Sequence, residues 1–360
     1  MFDCQGDGRA VAEDNLQMSE GLRLWQRRVR RKRLKRALAA PFEWLGIVAA
    51  LSLIIWLPWR LLRLFCDFLS CAMYRLDRRG KRRALEILHV VRGTCTGVEG
   101  TDRFDPDSGP YCPTCAEERI IRRSYRNMAR TVGYAFWTLV RARARCAQVG
   151  EMAPSGKAFL SANRPAVTVS GHIGCWEILS QLAFLEGHQM MSVAKDIGTR
   201  GMTKLLMSAR RSIGQEIVSA DGAFKPLMAG IKAGKSLGLL VDQKVSPDKG
   251  GVWIRFFGRP IPVSAAPAFF AAKAKAPIAV AWSRPLKDGR YRCEVVDTIS
   301  PEAAKDIWAT TQRCAHALEK VIRRHPSCWV LNYNYFREPI TSEVVQTLEA
   351  RETKGAKKWH

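Results

Sequence analysis

From about residue 158 onward, the hydrophobic and polar positions alternate between strand-like and helix-like patterns. Short apolar runs of four to six residues alternate there with longer runs of helical spacing. Apolar runs of this length predict buried strands, and the intervening runs predict helices that cover them. The strands are expected at Ala166–Ser170, Met190–Ala194, Glu216–Ser219, Leu237–Val241, Val252–Phe257, Ile278–Trp282 and Tyr291–Val296. The pattern predicts an α/β fold with a mixed, largely parallel sheet flanked by helices.

Helices are predicted at Thr199–Ser212 and Phe224–Ala233, and an amphipathic helix is predicted over 303–324. The apolar run Trp329–Tyr333 then predicts a last strand. The charged residues from Glu349 onward are expected to be loose.

The N-terminal region has a different pattern. Arg23–Arg36 holds nine basic residues among fourteen, which suits either a solvated helix or a contact with anionic lipids. Trp44–Trp59 follows, with 16 uncharged residues and Trp at both ends, as at membrane interfaces. A tilted span, a helix pair lying shallowly in the bilayer and a buried core helix all remain possible.

These patterns divide the chain into five segments. They are a disordered basic tail (1–40), a membrane-anchoring helical segment (41–75), a helical region (76–150) with a Cys-containing insertion (93–116), the catalytic domain (151–340) and a charged tail (341–360).

Composition adds a strong positive charge. Lys and Arg number 58 against 33 Asp and Glu, so the net charge of +25 suits an anionic partner such as a membrane or a phosphorylated lipid. No helix-turn-helix, zinc-finger tandem or ribonucleoprotein pattern is present, which argues against nucleic acid. The 11 Cys residues are scattered and no cleavable signal peptide precedes them, so we expect a reducing environment.

The insertion contains the pair Cys112 and Cys115 in a C-x2-C spacing, preceded by Cys95. Such a spacing is common in zinc sites, and His89 could supply a fourth ligand. The full set matches no standard knuckle, so a redox or idle pair is the alternative.

The stretch around His172 and Glu177 contains residue types that can carry out acid–base catalysis. His172 lies where the predicted strand Ala166–Ser170 passes into a helix, between Gly171 and Gly174, and Glu177 follows five residues later. Strand ends of α/β sheets collect catalytic groups, and a His held by a carboxylate can act as a general base. A surface ion pair or a satisfied buried imidazole is the structural alternative.

The motif GHIGCWE resembles the H-x4-D/E motif of the lysophospholipid acyltransferase superfamily, and more narrowly the bacterial late acyltransferases of lipid A biosynthesis. Three later blocks are similar to that family: Arg210 to Gly214 (R-x3-G), Leu239 to Gln243 (ending D-Q), and Gly251 to Pro260 with Ser264 beyond. The segment from Pro326 to Arg337 matches with altered order and spacing. Gly258 is expected to allow a tight turn.

The resemblance implies a glycerolipid acyltransferase-like fold, with catalysis by His172 and Glu177. Glu177 would hold the imidazole while His172 takes a proton from the acceptor hydroxyl. Substrate-binding residues would be Arg210, Asp242, Gln243 and Gly174, with backbone N–H groups near Gly174, or Arg210, stabilising the oxyanion. Arg210 and Asp242 could instead serve as helix or turn caps.

The implied reaction moves a fatty acyl chain from acyl carrier protein or acyl-CoA to a hydroxyl of an anionic lipid A precursor, without a cofactor. It would take place at the cytoplasmic face of a bacterial inner membrane. One alternative is another acceptor: a glycerophospholipid, an aminolipid or a glycosylated phospholipid. Another is a basic membrane scaffold without catalysis. Gly234 to Gly238 also matches G-x-S-x-G, but the strand should precede Ser236 in a nucleophile elbow and here follows it.

Overall fold

The computed structural model describes residues 54–93, 114–138, 140–194, 214–336 and 339–356, with Lys204, Met207, Ser208, Arg210 and Arg211. The predicted basic tail, most of the apolar segment Trp44–Trp59 and most of the Cys-containing insertion lie outside these residues.

In the part of the chain that the structure describes, four helices precede the sheet. They are α1 (Trp59–Leu76), α2 (Arg78–Arg92), α3 (Cys115–Trp137) and α4 (Ala142–Val149). Asp77 separates α1 from α2, and its side chain accepts the Gly80 N–H at the start of α2. A capping box of Thr114 and Glu117 begins α3. Within the described residues, no helix combines the length and the apolar character that a membrane span requires.

A seven-stranded sheet forms the centre. Its strands are β1 (Gly150–Met152), β2 (Val167–Ser170), β3 (Met190–Ala194), β4 (Glu216–Ser219), β5 (Ser236–Leu240), β8 (Ile278–Pro285) and β9 (Tyr291–Ile299). The strands β6 (Gly251–Phe256) and β7 (Arg259–Ser264) form a separate pair. The order is β1-β9-β8-β2-β5-β3-β4, and every neighbouring pair is parallel except β8 and β9. The predicted mixed, largely parallel sheet is confirmed.

Helices follow or cover these strands. They are α5 (Pro154–Ala162), α6 (Trp176–Leu185), α7 (Phe224–Lys232), α8 (Ala266–Ala274), α9 (Ile307–Arg324) and α10 (Ser342–Ala356). Val167, Val169, Leu237, Ile278 and Val280 are buried in the central strands. Parallel strands covered on both faces need such continuous apolar runs, which explains why the sequence pattern identified them.

The second sheet is the antiparallel hairpin of β6 (Gly251–Phe256) and β7 (Arg259–Ser264). Phe257 and Gly258 form its two-residue turn, and both have positive φ (53° and 78°). Two adjacent residues with positive φ are typical of a type I′ turn, which matches the twist of the strands. The structure therefore bears out the expected tight turn at Gly258 and adds Phe257 to it.

Two predictions for the C-terminal region are wrong. Trp329–Tyr333 forms no strand: a 3₁₀ turn at Pro326–Cys328 precedes it, and Trp329 makes only an isolated bridge with Ile173. Residues 349–356, expected to be loose, form the second half of α10, and Glu352 there pairs with Arg255 on β6.

Candidate active site

The site lies at the carboxyl ends of two adjacent parallel strands. Ser170 at the end of β2 pairs with Leu240 at the end of β5. His172 and Asp242 each follow two residues later, so the register places them side by side. Carboxyl ends of parallel strands are the usual position for ligands and catalytic groups.

Asp242 holds His172 at two points. Its Oδ1 lies 2.8 Å from the imidazole Nδ1, and its Oδ2 accepts the backbone N–H of His172 at 2.8 Å. The carboxylate is fully buried, whereas the His172 side chain is 21% exposed. Gly171 permits this approach, because a Cβ there would lie 3.0 Å from Asp242 Cγ. The contact fixes a proton on Nδ1 and leaves Nε2 as the acceptor.

Charge around His172 changes its proton affinity. Burial alone would lower the pKa of His172, but the carboxylate of Asp242 outweighs burial and raises it above the usual value. Glu177 also raises the pKa of His172 through its charge, and Arg210 lowers it. Burial would raise the pKa of Asp242, but its interactions with His172 and Trp329 lower it instead. The pair is therefore a buried carboxylate beside an imidazole that accepts a proton readily.

Glu177 has a different partner from the predicted one. Its two oxygens accept Nε and Nη2 of Arg210 at 3.0 and 2.5 Å. The prediction that Glu177 holds the His172 ring is wrong, because Asp242 occupies that position. The same geometry engages the fork of Arg210 with Glu177, and both side chains are little exposed (14% and 11%).

Gly174 shapes the turn between His172 and α6. It has a φ of +63°, and a Cβ there would lie against the carbonyl oxygen of Ser283, so only glycine fits. Its N–H donates to the Cys328 carbonyl at 2.8 Å, and its own carbonyl accepts Asn127 Nδ2. Of the backbone N–H groups near Gly174 that are expected as oxyanion donors, that of Gly174 itself is already bonded.

Gln243 lies at the reacting edge of the imidazole. Its Nε2 is 3.4 Å from His172 Nε2, on the ring nitrogen that Asp242 leaves uncovered. Trp176, the first residue of α6, packs edge-on against the same ring, with centroids 5.0 Å apart. A side-chain amide here can donate to an oxygen bound next to His172.

Ser236, the serine of the G-x-S-x-G match, is a structural residue. It is 1% exposed at the start of β5, where its Oγ accepts the Ala166 N–H. His188 Nδ1 lies 3.2 Å from the same oxygen, and His188 Nε2 bonds to the Leu160 carbonyl. Both side chains are buried, so the pair links β5 to α5 and offers no exposed nucleophile.

The metal hypothesis depends on four residues, two of which lie outside the described ranges. Cys95 and Cys112 lie there, while Cys115 is exposed at the start of α3. His89 Nε2 pairs with Glu117 Oε1 at 2.9 Å. Over the described ranges, no group of three or more His, Cys, Asp or Glu side chains is arranged for a metal.

Sequence reasoning missed two residues that hold the site. Trp329 Nε1 donates to Asp242 Oδ2 at 2.9 Å. Asn127 Nδ2 on α3 bonds to the carbonyls of Gly174 and Cys328, and its Oδ1 accepts Tyr291 O–H. An isolated Asn within a helix carries no motif. Trp329 lies in the segment from Pro326 to Arg337 that resembles the family, and this resemblance was the available signal.

A match to a family model defines the class: the chain is an acyltransferase with lipid substrates. The profile of the bacterial lipid A biosynthesis acyltransferases matches residues 112–338, more than half of the chain, and the protein belongs to that family. The crystal structure of the 1-acyl-sn-glycerophosphate (LPA) acyltransferase PlsC from Thermotoga maritima is similar at 14% identity and a TM-score of 0.32, covering 58% of this chain and 86% of that chain. No curated protein gives a significant match.

Proposed function

We propose that this protein transfers a fatty acyl group from a thioester to a hydroxyl of a lipid A precursor. One observation carries the chemistry: His172 Nδ1 is held by the buried Asp242, 2.8 Å away, which leaves Nε2 of this partly exposed side chain as the proton acceptor. An imidazole held in this way is a general base at neutral pH. The family match supports the lipid A precursor as acceptor.

The transfer needs no covalent enzyme intermediate. His172 Nε2 takes the proton as the hydroxyl oxygen attacks the thioester carbonyl carbon. Asp242 stabilises the imidazolium that forms, as the third member of a catalytic triad does. The tetrahedral intermediate then collapses, the C–S bond breaks, and the leaving thiolate takes the proton from His172. An ester and a free thiol are the products, and His172 returns to its neutral form.

Gln243 is the donor that we propose for the oxyanion. Its amide nitrogen lies 3.4 Å from His172 Nε2, next to the position that the attacking hydroxyl must occupy. Gly174 N–H and the Arg210 fork already bond to Cys328 and Glu177. An amide donor in a partly buried site is worth considerably more to a developing oxyanion than a water molecule would be.

A membrane surface is the proposed location, at the cytoplasmic face of the bacterial inner membrane. Leu61, Leu64 and Phe68 on α1 are 50%, 64% and 72% exposed. Their spacing of three and four residues puts them on one face of the helix. Arg60 and Arg63 lie on the same helix, and basic side chains beside an apolar face favour anionic lipid. The net charge of +25 also suits an acidic acyl carrier protein as donor, with acyl-CoA as the alternative.

An assay with purified protein tests the function. Acyl carrier protein and CoA thioesters would be offered with a lipid A precursor, and in parallel with a glycerophospholipid acceptor. We expect ester formation on the lipid A precursor. His172→Gln should lower the rate by about 10³-fold or more, because the base is lost.

His188→Gln is the matched control, since it also removes a buried imidazole but one that bonds only to Ser236 and Leu160. It should retain transfer wherever it folds. Undiminished transfer by His172→Gln would falsify the assignment of the base. Transfer only to the glycerophospholipid would mean that the acceptor is a glycerophospholipid, while the proposed acid–base chemistry at His172 would stand.

Photocrosslinking tests whether the exposed apolar face of α1 contacts lipid, whatever other segment anchors the protein. A benzophenone amino acid in place of Leu64 should form adducts with anionic vesicle lipids. The same amino acid in place of Ile340, which is 49% exposed elsewhere, is the control and should form few. Equal yields at the two positions would remove the α1 face from the proposal.

A further inference from the structure

Asp242 receives a third hydrogen bond that the acid–base scheme above does not use. The indole Nε1 of Trp329 donates to Oδ2 at 2.9 Å, beside the bond from the His172 backbone. Both Trp329 and the Asp242 carboxylate are fully buried. Every strong donor around a buried carboxylate helps to fix its orientation and spreads its charge.

The indole is itself held rigidly. Tyr335 stacks on it with centroids 4.1 Å apart, and Phe256 and Phe257 pack at 5.8 and 5.6 Å. Aromatic contacts at these distances restrict rotation of the ring. The Trp329 carbonyl also accepts Ser124 Oγ at 2.5 Å, which ties the backbone to α3.

The β6–β7 turn supports this aromatic cluster from outside. Phe257 adopts a φ of +53°, which is unfavourable for a residue with a side chain. Its N–H donates to Glu319 Oε1 at 2.8 Å, and the Arg323 guanidinium lies over its ring. In addition to the turn expected at Gly258, the hairpin tip therefore packs the rings of Phe256 and Phe257 against Trp329.

We propose that Trp329 is a positioning residue for the base, acting through Asp242. Its N–H holds the carboxylate in the plane that lets Oδ1 accept from His172 Nδ1. The inference rests on the proposed function for its catalytic consequence, but not for its effect on the proton affinity of His172.

The sign of that effect follows from linkage. An indole N–H bonds more strongly to a carboxylate beside a neutral imidazole than to one already neutralised by an imidazolium. It therefore favours the neutral form of His172, and its removal should raise the pKa of His172. The other charged groups acting on the ring, Glu177 and Arg210, are unchanged by this substitution.

The test is a pH titration of His172 by ¹⁵N NMR in the full chain, which has only six histidines. Trp329→Phe should raise the His172 pKa by about 0.5–1 unit. The same shift should appear in the acidic limb of the transfer rate, with kcat/KM about ten-fold lower at neutral pH and a partial recovery at higher pH. A benzothienyl analogue of Trp at position 329 keeps the ring and removes only the N–H, so it applies even where Trp329→Phe does not fold.

Trp137→Phe is the matched control. Trp137 is 3% exposed, and its N–H bonds to the Leu57 carbonyl, away from Asp242. It should lose stability without shifting the His172 titration. An unshifted titration in both Trp329 variants overturns the proposal, as does an equal shift in Trp137→Phe. A shifted titration in a protein that transfers no acyl group would keep the positioning role and reject the proposed function.

Discussion

Two carboxylates lie near His172, and they differ in their distance from it along the chain. Glu177 is five residues away along the chain, whereas Asp242 is 70 residues away. The distant one holds the imidazole, and the near one pairs with Arg210. The difference shows that sheet topology, and not sequence spacing, selects the partner of the base.

The two pairs also differ in what they can do. Asp242 is fully buried with donors on both oxygens, so it fixes the direction and the tautomer of the ring. Glu177 and Arg210 neutralise each other beside the site and influence His172 through opposing charges. The comparison predicts a large catalytic effect at Asp242 and a smaller, mainly electrostatic one at Glu177.

Asp242→Asn should produce the largest loss. Oδ2 accepts two N–H groups, from His172 and Trp329, so the amide oxygen must take that position and the NH₂ must face Nδ1. His172 would then carry its proton on Nε2, the nitrogen that has to accept one. We expect transfer to fall by about 10³-fold or more, measured as kcat with saturating thioester.

The pH profile separates this cause from simple misfolding. Asp242 is what raises the pKa of His172 against the effect of burial, so Asp242→Asn should move the acidic limb to lower pH. Raising the pH should not restore the rate, because the tautomer stays unsuitable. Glu177→Gln is the control carboxylate; if it matched Asp242→Asn in lost activity, the distinction between the two pairs would be wrong.

Most of the sheet could be predicted because its strands are buried on both faces and read as apolar runs. The exceptions have physical reasons. β1 has only three residues, and β7 contains Pro260 and Pro262, which a strand tolerates only where their nitrogens face away from the ladder. Trp329–Tyr333 has the composition of a strand, but its apolar side chains are buried without a ladder, a distinction that periodicity cannot make.

Five members of the site were predictable from motifs, whereas Trp329, Asn127 and the pairing were not. His172, Glu177, Arg210, Asp242 and Gln243 all carry motifs, and the structure brings them together. Which carboxylate meets the ring depends on β5 lying next to β2 in register, and β3 and β4 intervene between them along the chain. No local pattern encodes that neighbour relation.

Substitutions in the Glu177–Arg210 pair should have the smallest effect on catalysis. Their effects on the pKa of His172 should be opposite in sign and should cancel. Glu177→Gln removes a charge that raises the pKa of His172, and Arg210→Gln removes one that lowers it. The acidic limb of the transfer rate should therefore move to lower pH in the first variant and to higher pH in the second, by a few tenths of a unit each. In the double variant the two shifts should largely cancel.

The free energy of unfolding should also show coupling between Glu177 and Arg210 when the two single variants are compared with the double variant. Each single variant leaves one little-exposed charge unpaired, which costs about 3 kcal/mol in the free energy of unfolding, measured by urea denaturation. The double variant should lose clearly less than the sum, because neither charge remains. Additive losses would mean that the pair is not coupled. A shift of the same sign in both single variants would mean that Glu177 and Arg210 reach His172 through packing and not through charge, which would remove the contrast between the two carboxylates.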